Sequence, residues 1–316
     1  MKKIKTLISM IEPRPEIMKL LSEIEDYADI SFLGDGENIG ERLEGVEVLY
    51  GSIPEKDFEK ASSVRWIQTN STGVEHMMYP AFKNSDIILT NAGPSITTIV
   101  AEHALAMLFA LARNLHIQRD YMHEHKWEID CGVEIGGLSL GILGFGRIGM
   151  AMAVRAAAFV KELHVLDVKV PEKPDYVKKV YSFDELPVLL KNCNAVICSL
   201  PLTQQTKNMI SDNEMAMMPD RSYIVNISRG GVVDEAALIR ALRKGKLAGA
   251  GLDVTEQEPY PADGPLWDAP RLLLTPHSAG YCERLKERKI IQFIKNFKAY
   301  VKDGKVPGSL DKNRGW

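Results

Sequence analysis

The chain has 316 residues, 45% of them hydrophobic and 26% charged, with a net charge of −3 at neutral pH. That is an ordinary globular composition, long for one core and comfortable for two domains. No block of basic residues stands out and no apolar stretch reaches membrane-spanning length, so neither nucleic acid nor a membrane is expected as a partner.

The opening MKKIKTLISM has too short an apolar run for a secretion signal and reads as a first strand. Segments ADISFL, VEVLYG, VRWIQT and DIILT also read as strands. EIMKLLSEIED and EKDFEKAS read as helices. Strand–helix alternation up to residue 92 implies a parallel sheet, here in a smaller open α/β domain. The turn NSTGVEHM follows the fourth of these strands and enters a short helix; it is a plain turn or a backbone cradle for a carboxylate. A long apolar helix follows, capped by Thr97 or Thr98, and the domain crossing is placed near residues 93–94. From Asn114 to Cys131 the chain reads as helical and polar, as a dimer-forming arm or a surface excursion. His123, Glu124 and His125 within it have no further ligand-type residues nearby, so they read as solvated surface and no metal is expected. Cys131, Cys193, Cys198 and Cys282 form no CxxC pair and read as reduced thiols of a cytoplasmic protein.

The most informative stretch is LSLGILGFGRIG. A short apolar strand ends at Gly144, Gly146 and Gly149, and a strong helix former follows. In that setting the first glycine permits a tight turn and the second a close approach of pyrophosphate. The third lets helix and strand pack, and the helix N-terminus faces the phosphates. Glycines also cluster in ordinary turns, but Asp167 adds a second feature eighteen residues beyond Gly149. At the end of the next strand it can accept both ribose hydroxyls and repel a 2′-phosphate, which favours NAD over NADP, with Lys169 close enough to matter. Six strands from Leu140 onward, with helices between them, fit a doubly wound nucleotide domain. Asp167, Pro201, Ser228, Arg229, Asp253 and His277 recur where apolar runs end, as ligand groups do in such sheets. The final helix sets Ile290, Ile294, Phe297 and Val301 on one face and Gly304 at its stop, and is expected to return to the N-terminal domain.

Singly, Arg229, Glu258 and His277 could be a surface ion pair, a loop carboxylate and a core histidine. Together they are the set that hydride chemistry on a 2-oxo or 2-hydroxy acid requires. The segments GILGFGRIG, NISRGGVVDEAALIRAL and GAGLDVTEQEPYPADGPLWDAPRLLLTPH resemble the NAD-dependent D-isomer-specific 2-hydroxyacid dehydrogenases over nearly the whole chain. WIQTNSTGVEHM and TNAGPSITTIVAEHALA do so more loosely. This family includes glyoxylate or hydroxypyruvate reductases and phosphoglycerate dehydrogenases.

The resemblance implies two open doubly wound domains. A Rossmann domain at 94–281 is inserted into a flavodoxin-like substrate domain at 1–93 plus 282–316. It also implies a homodimer. Arg229 would grip the substrate carboxylate and carbonyl oxygen. His277 would be the acid–base group, and Glu258 would hold it. Backbone at Ser71, Thr72 and Gly73 would bind the substrate carboxylate. Thr72, Arg147, Ile148, Leu200, Pro201, Ile227, Ser228, Arg229, His277 and Ala279 would join the glycines and Asp167 along the cofactor groove, with Asp253 near the nicotinamide carboxamide.

Glu75 stands where many members carry aspartate, and no extra basic residue sits in that loop, as a phosphorylated substrate would want. The expectation is therefore a small unphosphorylated acid. Feedback control through a C-terminal extension, of the kind some phosphoglycerate dehydrogenases carry, is not expected. D-3-phosphoglycerate dehydrogenase is the alternative enzyme, and an NAD-sensing corepressor-like binding protein the alternative of another class.

Overall fold

The computed structural model describes residues 2–168 and 172–312, so Lys169 lies outside the described residues. The chain divides into two compact units, Met1–Ile96 with Cys282–Trp316, and Thr97–Tyr281.

The first unit contains β1 (Ile4–Ile8), α1 (Pro15–Leu21), β2 (Ala28–Phe32), β3 (Val48–Tyr50), β4 (Trp66–Gln68), α2 (Pro80–Lys83) and β5 (Ile88–Thr90). Its strands are all parallel, in the order β2-β1-β3-β4-β5, which is the flavodoxin-like doubly wound order. α1 stops short of the expected Asp26 because Ser22 turns its hydroxyl back onto the Lys19 carbonyl, and a 3-10 turn at Ser22–Ile24 takes over. The helix expected at 55–62 is a 3-10 helix at Glu55–Ala61.

α3 (Gly93–Ala112) carries the chain into the second unit. It starts earlier than Thr97 because the Asn91 side chain accepts the Gly93 N–H at 3.1 Å and caps the helix from outside. By length and composition alone α3 could cross a membrane, which corrects the reading that no stretch reaches that length. Half of that span is buried in the structure. It packs on the strand Leu247–Leu252 of the second unit through two glycines. A Cβ at Gly249 would stand 3.0 Å from Leu111, and one at Gly251 would stand 3.1 Å from Met107.

A left-handed Asn114 (φ 52°) separates α3 from α4 (Leu115–His123). The polar helix expected to reach Cys131 ends at His123. Asn114 donates its amide to Asp130 at 3.0 Å and to the Cys131 carbonyl at 3.1 Å, which draws the following segment back as irregular chain.

The rest of the second unit is β6 (Ser139–Leu143), α5 (Arg147–Ala156), β7 (Glu162–Leu166), β8 (Lys179–Tyr181), α6 (Leu186–Asn192), β9 (Ala195–Cys198), α7 (Asp212–Met217), β10 (Ser222–Asn226), α8 (Glu235–Arg243), β11 (Leu247–Leu252) and β12 (Leu272–Leu274). Among the described residues the parallel sheet has seven strands, one more than the six expected, in the order β12-β11-β10-β9-β6-β7-β8. Counted from β6, this is the dinucleotide-binding order with a strand added beyond β11. α5 buries Gly149, Met152, Ala153 and Ala156, a stripe at helical spacing. Capping boxes at Ser182 and Ser211, and the Asp234 cap on Ala237, fix where helices begin.

α9 (Leu285–Asp303) belongs to the first unit and closes on the left-handed Gly304 (φ 70°). Ile290, Ile294 and Phe297 face inward as expected, joined by Phe293. Phe293 stacks on Trp66 at 5.4 Å and meets Tyr50 edge-on at 5.4 Å. Buried Asn296 is satisfied by Gln68 at 2.9 Å.

Candidate active site

The parallel register of the second unit aligns strand ends. Leu143 pairs with Leu166 and Cys198, Asn226 with Cys198 and Leu252, and Leu252 with Leu274. The residues that follow these positions therefore emerge along one sheet edge. Gly144, Asp167, Leu200, Pro201, Ile227, Ser228, Arg229, Asp253, Glu258, His277 and Ala279 all belong to the loops leaving that edge.

At the end of β6, Gly144 has φ +96°, and a Cβ there would stand 2.7 Å from the Ser199 carbonyl. A Cβ at Gly149 would collide with the Gly144 carbonyl oxygen, so α5 can only lie this close to the turn without one. Gly146, in contrast, faces open space and is exposed, as is Arg147, with Ile148 half-buried. Gly146 is the N-cap of α5 and supplies no side-chain cap, which leaves first-turn amides for an anionic ligand. Asp167 leaves β7 beside this turn, and its carboxylate accepts the Phe145 N–H at 2.5 Å. An open second glycine, uncapped amides and a carboxylate held at the end of β7 together fit the pyrophosphate and ribose of a dinucleotide.

The loop after β10 is shaped by buried Asn226, which sequence reasoning did not single out. Its Oδ1 accepts the Ser228 N–H at 3.1 Å and the Ser228 hydroxyl at 2.7 Å, and its Nδ2 donates to the Arg229 carbonyl at 2.9 Å. Gly230 passes so tightly over the Thr255 carbonyl that a Cβ there would clash. This brings the Arg229 loop against the loop that carries Glu258. The Arg229 guanidinium also donates to the Ser228 carbonyl at 2.8 Å.

Glu258 has two tasks. Its Oε1 accepts the Thr255 N–H at 3.1 Å, and its Oε2 lies 2.7 Å from His277 Nδ1. A carboxylate accepts only, so Nδ1 carries the proton. Nε2 has no partner among the described residues and belongs to a half-exposed imidazole, so it is the nitrogen open to a ligand.

His277 stands on a network that the sequence did not disclose. Asp253 is 2% exposed. Its Oδ1 accepts the Thr275 hydroxyl at 2.6 Å and the Ser278 N–H at 2.8 Å, and its Oδ2 accepts the Ala279 N–H at 3.0 Å. The Asp253 carbonyl accepts the His277 N–H at 2.7 Å. Buried Asp253 therefore organises the loop that presents His277.

In the first unit, Ser71, Thr72 and Gly73 lie in the loop after β4. Thr69 Oγ1 accepts the Ser71 N–H at 3.0 Å, Asn91 donates to the Thr72 carbonyl at 2.7 Å, and Ala92 donates to the Ser71 carbonyl at 3.0 Å. With the carbonyls held inward, the Thr72 and Gly73 amides have no acceptor among the described residues.

A sheet of this order, with an open glycine turn and a carboxylate at its carboxyl end, fits the class of dinucleotide-binding proteins. Comparison with known proteins narrows the class: the profile of the NAD binding domain of D-isomer specific 2-hydroxyacid dehydrogenases matches residues 105–279, and the chain belongs to that family. A glyoxylate reductase of Korarchaeum cryptofilum is 32% identical, with 92% of this chain and 91% of that protein covered. A D-3-phosphoglycerate dehydrogenase of Methanocaldococcus jannaschii is 31% identical over 86% of this chain and 53% of its own length. A D-isomer specific 2-hydroxyacid dehydrogenase from Xanthobacter autotrophicus Py2, solved with NADPH and MES, superposes with a TM-score of 0.84 at 25% identity, covering all of both chains. The chain is thus an NAD(P)-dependent dehydrogenase that moves a hydride between a nicotinamide dinucleotide and a 2-hydroxy or 2-oxo acid.

Proposed function

We propose that the protein is an NADH-dependent, D-specific reductase of a small unphosphorylated 2-oxo acid such as glyoxylate or hydroxypyruvate. The pair of His277 and Glu258 is the observation that carries this reading. When bound, the dinucleotide supplies the hydride that adds to the substrate carbonyl carbon. Nε2 of His277 gives its proton to the carbonyl oxygen and takes it back in the reverse direction. Glu258 keeps the Nδ1 proton in place, so the ring presents a single face to substrate throughout. Arg229 binds the carboxylate and carbonyl oxygen with its planar fork, a task lysine could not copy. The amides of Thr72 and Gly73 take the substrate carboxylate. Asp167 accepts the ribose hydroxyls and disfavours a 2′-phosphate, and the three glycines take the pyrophosphate.

The substrate class is read from the loop at residues 70–76, NSTGVEH, which carries Glu75 and no lysine or arginine. A dianionic phosphorylated acid would want an added lysine or arginine there. We also place the protein in the cytoplasm as a homodimer. Support for the dimer comes from α4 and the segment after it, where Leu115, Met122, Trp127 and Ile129 are exposed.

His277→Ala tests the assignment. Turnover should fall by about a hundredfold or more, as expected for loss of a general acid, with NADH affinity largely kept. Near wild-type turnover in that variant would remove His277 from the chemistry.

A further inference from the structure

We propose that His103, on α3, is a positioning residue for His277; the inference rests on the reading of His277 as the acid–base group. Thr275 lies two residues before His277, with its Oγ1 2.6 Å from Asp253 Oδ1 and 3.1 Å from His103 Nε2. A buried carboxylate that already takes the Ser278 and Ala279 amides can only accept, so the single hydroxyl proton of Thr275 goes to Asp253. The oxygen lone pair is what then faces His103, and His103 Nε2 is the donor. The same nitrogen stands 3.7 Å from Asp253 Oδ1. His103 thus donates to Thr275 and Thr275 to Asp253, the acceptor that also takes the Ser278 and Ala279 N–H groups of the loop of residues 275–279.

His277 needs this bracing. Its φ of +49° lies in the left-handed region, which a side chain other than glycine occupies at a cost and holds only when its surroundings over-determine it. The Asp253 carbonyl, the Asp253 carboxylate and the Thr275 hydroxyl hold the loop from the strand ends. His103 ties this loop to a helix, and that helix is wedged on β11 at Gly249 and Gly251. The His103 hydrogen bond goes to Thr275 and not to His277 itself. Its effect on chemistry is therefore through where the His277 ring points.

The test compares His103→Phe, which keeps bulk and loses the donor, with His103→Gln, whose amide nitrogen can reach the Nε2 position. His103→Phe should lower kcat by roughly ten- to a hundredfold, the scale of a small misplacement of a reacting group, with KM for NADH changed less than about twofold. His103→Gln should recover most of the loss. In a His277→Ala background, His103→Phe should add less than about a twofold further loss, because the group it positions is gone. A His103→Phe enzyme as fast as wild type, or a His103→Gln enzyme no better than His103→Phe, overturns the proposal. So does an equal loss in the His277→Ala background. If His103→Phe does not fold, Thr275→Val against Thr275→Ser reads the same link: Thr275→Val should be impaired and Thr275→Ser competent, and equal activities overturn it. Near wild-type turnover of His277→Ala alone is a different failure, that of the acid–base reading itself.

Discussion

In the proposed function a single carboxylate, Asp167, carries the choice of cofactor. Asp167 accepts the Phe145 N–H at 2.5 Å, so it is already oriented over the glycine turn before any ligand arrives. Hydrogen bonds to a charged acceptor are the stronger kind, about 1.5–3 kcal/mol each. Asp167→Ala should therefore lower kcat/KM for NADH by about tenfold or more. The same change removes repulsion of a 2′-phosphate, so kcat/KM for NADPH should rise. An unchanged ratio between the two cofactors would show that Asp167 does not read the ribose. The glycine turn was legible from the residues alone because its constraint is local, whereas Arg229, Glu258 and His277 took their roles as a set through the family resemblance. Gly144, Gly146 and Gly149 answer to the geometry of one turn. Their spacing to Asp167 is set by one helix and one strand. His103 was not legible because its partner Thr275 lies 172 positions away and nothing in the apolar pattern of its helix sets it apart. Asn226 and Asn91 were missed for a related reason: each shapes a loop by side-chain hydrogen bonds that leave no periodic signal.

Among the elements, strands were read more securely than helix ends. Runs such as 223–226 and 195–198 are buried on both faces and bounded by polar residues, so their existence follows from composition. Helix ends depend on whichever polar group reaches the terminus. Asn91 captures the start of α3 ahead of Thr97, and Asn114 ends the helical run by pulling Asp130 back. The membrane-length character of α3 was hidden by Thr97, Thr98, Glu102 and His103, which break the apolar run without shortening the helix. α4 bears on assembly. Its exposed Leu115 and Met122, with fully exposed Trp127 beyond it, are the apolar surface a second copy would cover. Light scattering at micromolar concentration should return twice the 35.2 kDa chain mass. A monomer mass would contradict the dimer.

At the scale of the molecule, the two sheets have the two orders that doubly wound α/β proteins use. The alternation of strand and helix made the parallel sheets legible, while the flavodoxin-like order came only with the family resemblance. Family membership sets the reaction, while the acid it acts on is argued from a short loop and its charge. The most direct test is NADH oxidation by the purified protein across glyoxylate, hydroxypyruvate, pyruvate, phenylpyruvate and 3-phosphohydroxypyruvate, repeated with NADPH. The highest kcat/KM is expected with NADH and an unphosphorylated acid. A preference for 3-phosphohydroxypyruvate would contradict the substrate assignment and show that residues outside the Glu75 loop bind the phosphate.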